Sequence, residues 1–410
     1  MMINLFNAIN AKAVLSFIIF LIMINILFIY MKIVHLFFVI ISLFSLLSAN
    51  PVITELPKPG QQDKLPEQKP FSVLIPFSIT PLNQIIAEIC LGTPPQCLKF
   101  KIATNIDETF VYSNSLDWVK GFDITKSQSA LVLEEDIEFT HASSTYRGYS
   151  ASDTLSIKNT DINLEDFSFY VVKSGVVSPD YSGVLGLGKK YEDNEFSFVS
   201  MLYQYDYIDD QVFSLTYEPQ TASGILKLGF HELSDNKMYK VCDIVEDDDV
   251  PYFEVTMDGI IYENMEKGGE NFANSFAQPQ VVLMSPGANN IYCPEPFYKF
   301  MVDKIFKEII NPKAKCSYDS REVGYSQIEC ENKILDDDLG EIRFIFGKWN
   351  INLRFVDLFE DCHNGKNNNV CFTIILARGE NFKWVFGYPL LKQYPVVFDY
   401  DTFNIFVKIK

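Results

Sequence analysis

The feature that most constrains the fold is residues 86–113, which have the sequence IIAEICLGTPPQCLKFKIATNIDETFVYS. Two apolar-rich runs flank the GTPPQ cluster at residues 92–96. This cluster has the composition of a turn, because proline cannot donate to a central β-ladder and glycine tolerates positive φ. The segment therefore predicts two strands joined by a turn, with the second strand, residues 98–102, leading into the ATN sequence at residues 103–105.

The rest of the chain is also rich in predicted strands. From residue 71 to about residue 217, short β runs are broken every ~8 to 12 residues by turn residues, which predicts an all-β unit. A second β-rich half begins near residue 224 with GILKLG, and apolar residues precede a turn in VVLMSPGANNIYCP at residues 281–294. Helical periodicity is scarce, and the clearest short helix is predicted at residues 197–205.

The turn cluster resembles the first active-site loop of the pepsin-like aspartic endopeptidases. In that family G-T-P-P-Q is followed, seven residues after the glutamine, by the aspartate of D-T-G, and here that position is Ala103. Residues 281–294 resemble the second active-site loop, in which a proline lies nine residues after the aspartate. Counting back from Pro294 places the second aspartate position at Ser285, so that Ser285-Pro286-Gly287 stands where the family has D-T-G or D-S-G. The resemblance also implies the helix that follows this loop, which is expected at residues 297–310.

Three further segments carry the resemblance. SGVLGLG at residues 182–188 and WVFGYPLL at residues 384–391 resemble the apolar-apolar-Gly elements that pack beneath the two active-site loops. FTHASSTYRGYSASDTLSI at residues 139–157 resembles the flap hairpin, with the flap tyrosine position falling on His141. The likeness covers about residues 71–410.

This resemblance implies an all-β, pepsin-like acid protease fold with few short helices, in which two β-barrel-like lobes surround a cleft. The expected organisation is a targeting segment at residues 1–49, a linker at 50–70, an N-terminal lobe at 71–222 and a C-terminal lobe at 223–410.

Catalysis in this family needs two aspartates that share one proton and hold the attacking water. The Ala103 methyl group can do neither, and the Ser285 hydroxyl has no histidine or lysine placed beside it by the pattern. Thr104 keeps the hydroxyl with which the family's two loops hold one another, but its counterpart Pro286 has neither hydroxyl nor backbone N–H. Asn105 replaces a glycine. We therefore expect degenerate active-site loops with no catalytic residue, and no cofactor or metal ion.

Three functions remain open from the sequence. The first is a secreted, catalytically inactive homologue, presumed monomeric, that binds a peptide, glycan or protein in or near its cleft. The second is an active aspartic endopeptidase with unorthodox catalytic groups. The third is a structural or storage protein without a cleft ligand. Proteolysis at acid pH separates the second from the others, and ligand capture separates the first from the third.

The amino-terminal region and the charge indicate a location and exclude some partners. Residues 13–30 and 33–49 are apolar, and the run that follows Met31-Lys32 has the pattern of a secretory signal with cleavage after Ala49. Translation from Met1 or from Met31 fits this pattern, and a membrane is a partner only if the apolar runs are retained. Acids outnumber bases by 53 to 34, and the net charge of −19 disfavours nucleic acid as a partner. We expect an extracellular or endomembrane-lumenal protein.

The chain has eight cysteines. Cys90 and Cys97 face each other across the predicted hairpin, and we expect a disulfide between them. The late cysteines Cys316, Cys330, Cys362 and Cys371 are also disulfide candidates, with three possible connectivities.

Overall fold

The structure is a computed structural model. It describes residues 72–116, 119–141, 144–188, 197–229, 231, 238–243, 253–263, 272–310, 316–322, 325–331, 340–361, 369–377, 383–402 and 404–408. The predicted targeting segment and linker, residues 1–70, lie outside the described residues. Within the described ranges, no helix has both the length and the apolar composition that a bilayer span requires.

The described residues form 24 strands. Those of the first part of the chain are β1 Ser72–Ile79, β2 Ile85–Leu91, β3 Gln96–Ala103, β4 Phe110–Tyr112, β5 Leu131–His141, β6 Ser144–Ile157, β7 Asn163–Ser174, β8 Gly183–Gly186, β9 Val212–Glu218, β10 Ser223–Gly229 and β11 Met238–Asp243. Those of the remainder are β12 Glu254–Glu263, β13 Phe272–Met284, β14 Ile291–Cys293, β15 Cys316–Glu322, β16 Tyr325–Glu331, β17 Glu341–Phe346, β18 Trp349–Arg354, β19 Phe359–Asp361, β20 Asn369–Phe372, β21 Ile374–Ala377, β22 Trp384–Phe386, β23 Val396–Asp399 and β24 Asn404–Lys408.

Helices are short. They are α1 Phe198–Gln204, α2 Glu295–Phe300 and α3 Tyr388–Leu391, with a π-helical stretch at Met301–Ile310 and 3₁₀ turns at Ile124–Lys126 and Phe355–Leu358. The predicted helix at residues 297–310 thus begins two residues earlier and changes its winding after Phe300. In α1, Ser197 acts as N-cap by accepting a hydrogen bond from the Ser200 amide. Its apolar side chains Phe198, Val199, Met201 and Leu202 are buried.

The strands form two sheets. The first has 13 strands in the order β11-β24-β23-β9-β10-β1-β2-β3-β8-β4-β7-β6-β5, and the second has 11 strands, with β13, β22 and β14 adjacent. The carboxyl-terminal strands β23 and β24 belong to the first sheet, because β23 pairs with β9 from Val396–Leu215 to Asp399–Val212. The two ends of the described chain are therefore joined by one sheet.

The predicted hairpin at residues 86–113 is confirmed. Strands β2 and β3 are antiparallel and place Cys90 opposite Cys97, and these residues form a disulfide as predicted. Among the late cysteines, Cys316 pairs with Cys330 across β15 and β16. Cys371 is also in a disulfide, and the remaining candidate, Cys362, lies outside the described residues.

The buried side chains of β3 alternate between two hydrophobic clusters. Leu98, Phe100 and Ile102 are buried in the main hydrophobic core, together with residues of both sheets. Ala103 belongs to a smaller buried cluster that also contains Phe110 and Tyr146. Because successive strand residues point to opposite faces, β3 separates the main core from this second cluster.

Candidate functional site

The first loop follows β3 and is held by β8, which lies between β3 and β4. The pairing of β3 with β8 is parallel and aligns Ala103 with Gly186, and the Leu187 amide donates to the Ala103 carbonyl at 2.7 Å. A Cβ atom on Gly186 would lie 2.5 Å from the Glu108 carbonyl oxygen, so glycine is needed for this close approach. These backbone contacts fix the position of Ala103 whatever side chain it carries.

The second loop repeats this plan with different strands. β13 pairs in parallel with β22, which lies between β13 and β14, and this pairing aligns Met284 with Phe386. The Ser285 amide donates to the Phe386 carbonyl at 2.9 Å, and the Ala288 amide donates to the Ser285 carbonyl at 2.8 Å. Ser285 is thus also held by backbone hydrogen bonds, although its amide donates to the neighbouring strand whereas the Ala103 carbonyl accepts.

The two loops meet directly. A Cβ atom on Gly287 would lie 2.3 Å from the Ile102 carbonyl oxygen and 3.3 Å from the Ala103 Cα atom, so the second loop packs against the end of β3. Ala103 is 2% exposed and Ser285 is fully buried. The structure therefore brings Ala103 and Ser285 to one junction, at which the side chains are a methyl group and a hydroxymethyl group.

The hydroxyl groups at this junction have no hydrogen-bond partner among the described residues. Thr104 and Ser285 are both fully buried, and neither the Thr104 Oγ1 nor the Ser285 Oγ atom is bonded. Pro286 and Gly287 are also buried, and proline offers no N–H to a neighbouring hydroxyl. A buried polar group without a partner costs about 1–3 kcal/mol. The junction is accordingly held by backbone hydrogen bonds and packing, while Asn105, at its edge, is half-buried.

The carboxylates nearest in sequence to Ala103 lie in a different cavity. Asp107 and Glu108 line a cavity of about 230 Å³ together with residues of β5, β6, β7 and α1, and no residue of the second loop lines it. Across the described part of the chain, no group of three or more His, Cys, Asp or Glu side chains is arranged to hold a metal ion.

The residue at the flap position, His141, packs beside buried aromatic rings. His141 ends β5 and is paired with Ser144 of β6, and its ring centroid is 5.8 Å from that of Phe110. Phe110 in turn lies 5.3 Å from Tyr146, and both belong to the buried cluster that contains Ala103. Burial, and to a smaller degree the charge of Lys101, lowers the pKa of His141 to about 4. The imidazole is therefore neutral at pH 7 and offers one donor and one acceptor.

One residue that the sequence reasoning did not select also lies here. Lys101 precedes Ala103 by two residues on β3 and is half-buried, and burial lowers the pKa of its ammonium group. The alternation in LKFKIA at residues 98–103 distinguishes the core face from the lysine face. That pattern predicts a solvated face for both Lys99 and Lys101, and only Lys99 is exposed.

Comparisons with known proteins agree with this geometry. Residues 84–407 match the model of the family described as eukaryotic aspartyl protease. The structure is similar to the crystal structure of the aspartic proteinase from Irpex lacteus, with a TM-score of 0.64, 14% sequence identity, and coverage of 83% of this chain and 97% of that chain. Comparison with curated protein sequences gives no match. The structural likeness confirms the predicted mostly-β fold with two lobes.

Proposed function

Because this chain belongs to the eukaryotic aspartyl protease family, we propose that it keeps the cleft of that fold as a ligand-binding site and does not hydrolyse peptide bonds. The observation that carries this proposal is the junction of the two loops. Ala103 and Ser285 occupy the places where the sequence resemblance expects the two aspartates, and both are buried.

The chemistry of peptide hydrolysis supports this proposal. One aspartate acts as base and the other as acid, and the pair shares a proton while it holds the attacking water. A methyl group exchanges no proton, and the Ser285 hydroxyl has no base bonded to it that would make it a nucleophile. Asp107 and Glu108 line a separate cavity and do not compensate for the missing acids.

We assign the ligand to the peptide, glycan or protein class, because the sequence resemblance implies binding of such ligands for an inactive homologue. Backbone hydrogen bonds hold Ala103 and Ser285 without any contribution from an acidic side chain, which supports a loop junction that is kept in the absence of the acids. The disulfides fit an extracellular or lumenal compartment. We propose a secreted or lumenal binding protein that functions as a monomer.

Two assays test the proposal. The purified chain is incubated with acid-denatured haemoglobin from acid to neutral pH, with and without pepstatin, and we expect no cleavage at any pH. Pepstatin-sensitive cleavage would establish the active endopeptidase instead. In parallel, the chain is applied to peptide and glycan arrays. Saturable binding supports the cleft-ligand function, and the absence of binding to either array favours a structural or storage protein.

A further inference from the structure

The strand neighbours of Lys101 are apolar residues. In the first sheet it is paired with Ile86 of β2 on one side and Val184 of β8 on the other, and Val184 is paired with Phe110 of β4. Paired residues share a face of the sheet, and so do residues two apart on one strand. Ile86, Val184 and Phe110 are all buried, as is Ala103. The nearest strand neighbours of Lys101 are thus apolar, and the charged residues of the same face, Lys99 and Glu88, lie farther along β3 and β2.

The flap lies close to this ammonium group. The charge of Lys101 contributes to lowering the pKa of His141, whose ring contacts Phe110. Lys101 and His141 therefore lie beside the same buried cluster, because Lys101 is paired with Val184, Val184 with Phe110, and the Phe110 ring contacts His141.

Lys101 forms no ion pair with any described carboxylate. Burial is the one cause that shifts its pKa, with no contribution from a neighbouring acid. Other lysines of the described chain are paired, as Lys158 is with Glu88 and Lys383 with Glu254. A half-buried cation without a counterion is unfavourable, since burial removes hydration that no partner replaces.

We propose that Lys101 and His141 form a subsite for a carboxylate, carried by an acidic side chain or by the free carboxyl terminus of a peptide bound in the cleft. This inference rests on the proposed binding function and names the chemistry of its ligand. One lysine matches the single charge of a carboxylate. A phosphate monoester carries about −1.5 to −2 charges at pH 7, and a single lysine among apolar neighbours would leave part of that charge without a counterion.

The identity of residue 103 determines whether Lys101 has a counterion on its own strand. Residues two apart on a strand are roughly 6–7 Å apart on the same face, within reach of a lysine side chain. An aspartate at position 103 would supply Lys101 with an internal counterion. Alanine at this position offers no carboxylate, so the ammonium group remains free to bind the carboxylate of a ligand. With lysine at position 101 and alanine at position 103, these two residues together contribute a positive charge and no carboxylate.

The test uses fluorescence anisotropy with the full chain and three labelled peptides of alanine and phenylalanine. The first carries a central glutamate and an amidated carboxyl terminus, the second replaces glutamate with glutamine, and the third has the glutamine and a free carboxyl terminus. We expect the first or the third to bind at least about tenfold more tightly than the second, as for hydrogen bonds to charged groups. Tighter binding of the first peptide would identify the carboxylate as that of an acidic side chain. Tighter binding of the third would identify it as the free carboxyl terminus.

Variants connect the preference to the site. Lys101→Met should abolish the preference for a carboxylate, and Lys99→Met, on the exposed part of the same face, should keep it. Ala103→Asp should weaken binding of the preferred peptide more than Ala103→Asn does, because only aspartate adds a carboxylate that competes for Lys101. Thermal unfolding of each variant shows that it is folded.

The outcomes separate this inference from the proposed function. Equal binding of the three peptides, absence of binding, or a preference that survives Lys101→Met overturns the carboxylate subsite. Cleavage of the peptides overturns the non-catalytic function, but a charge preference that depends on Lys101 would still support the subsite.

Discussion

The two halves of the loop junction share a backbone plan and differ in their side chains. In the first half, Ala103 is held by the Leu187 amide, and the hydroxyl of Thr104 is retained. In the second half, Ser285 is held by the Phe386 carbonyl, and Pro286 follows it with no donor to offer. The half-buried cation Lys101 belongs to the first half, and the corresponding position of the second, Leu283, is apolar.

This comparison indicates that strand pairing and backbone hydrogen bonds hold both loops in place. The parallel pairings β3–β8 and β13–β22 use backbone donors and acceptors, which every residue except proline supplies. Side chains at the junction can therefore change without loss of the fold. The cost is local, in the form of buried hydroxyl groups without partners.

The largest effect is expected from restoring both acids. Ala103→Asp and Ser285→Asp, combined with Asn105→Gly and Pro286→Thr to rebuild the loops, should give measurable, pepstatin-sensitive digestion of denatured haemoglobin. Either acid alone should leave the protein inactive, because a single carboxylate has no partner to share its proton. Loss of members of a catalytic unit costs up to roughly a millionfold in turnover.

The single-acid variants are the controls for that experiment. If either of them digests haemoglobin as well as the combined variant, then the two halves do not act as a pair. Pepstatin-sensitive digestion of haemoglobin by the wild-type protein would contradict the proposal that the protein lacks catalytic acids.

A smaller effect is expected from Gly287→Ala, which tests the contact between the halves. The added Cβ atom would lie 2.3 Å from the Ile102 carbonyl oxygen, and backbone cannot rotate away as a side chain can. We expect a loss of about 3 kcal/mol in the free energy of unfolding, measured with urea.

Gly186→Ala provides the comparison, because its Cβ atom would meet the Glu108 carbonyl oxygen within the first half. Both variants should be destabilised, but Gly287→Ala alone should alter the separation of the two halves. A Gly287→Ala protein as stable as the wild type would show that the loops are not in contact.

Thr104→Val is expected to raise the free energy of unfolding by about 1–2 kcal/mol, because it removes a buried hydroxyl group that has no partner. In a Pro286→Thr background the gain should shrink or reverse, since residue 286 then offers an N–H and a hydroxyl. A double-mutant cycle in urea measures the coupling between the two halves.

Thr109→Val is the matched control for that cycle. Thr109 is also buried, but its Oγ1 accepts a hydrogen bond from the Gly186 amide at 3.2 Å. Its replacement should therefore lower stability by about 1 kcal/mol. Equal effects of the two substitutions would contradict the difference in bonding between Thr104 and Thr109.

Lys101→Met is expected to stabilise the protein by about 1 kcal/mol, because an apolar side chain of similar length replaces an unpaired, half-buried cation. Lys99→Met, at an exposed position two residues earlier, should leave the melting temperature nearly unchanged. Differential scanning calorimetry of both variants decides this. Destabilisation by Lys101→Met would indicate that the ammonium group has a partner in the folded protein.

The smallest effect is expected in the dependence of stability on pH. Burial is the main cause that lowers the pKa values of His141 and His231 to about 4, from about 6.5 in an unfolded chain. The unfolded chain therefore binds protons that the folded chain does not, and stability should fall as the pH decreases from 6.5 towards 4. Because both rings are only half-buried, the change should be modest.

Urea unfolding of the wild type, His141→Gln and His231→Gln at several pH values in this window measures the effect. Each substitution should flatten the decrease. His231 contacts the Gly229 carbonyl and the Ser214 hydroxyl, so its replacement should also lower stability at pH 7. A decrease that is unchanged in both variants would assign the acid sensitivity to other groups.

Much of the fold could be predicted from the sequence, because it depends on local rules. The GTPPQ turn, the pairing of Cys90 with Cys97 and the N-cap of α1 at Ser197 each follow from residues close together in the chain. The two loops were located by counting from the turn cluster and from Pro294, and in the structure Gly287 of the second loop packs against Ile102 and Ala103.

The late cysteines could not be assigned in this way. Cys316 bonds to Cys330 because β15 and β16 pair in the register that places these residues opposite each other. Four cysteines in one region allow three connectivities, and their spacing does not specify the register of two strands.

The sequence by itself determined that Lys101 shares a face of β3 with Ala103, because alternation is a property of the extended chain. The tertiary structure alone decided what covers that face. The flap residue His141 comes from β5, far from β3 in the sequence, and its ring contacts Phe110 of the next strand, β4. Lys101, on the same face, is half-buried, whereas Lys99 is exposed. A strand pattern shows which side chains lie together, whereas their burial depends on the elements that pack above them.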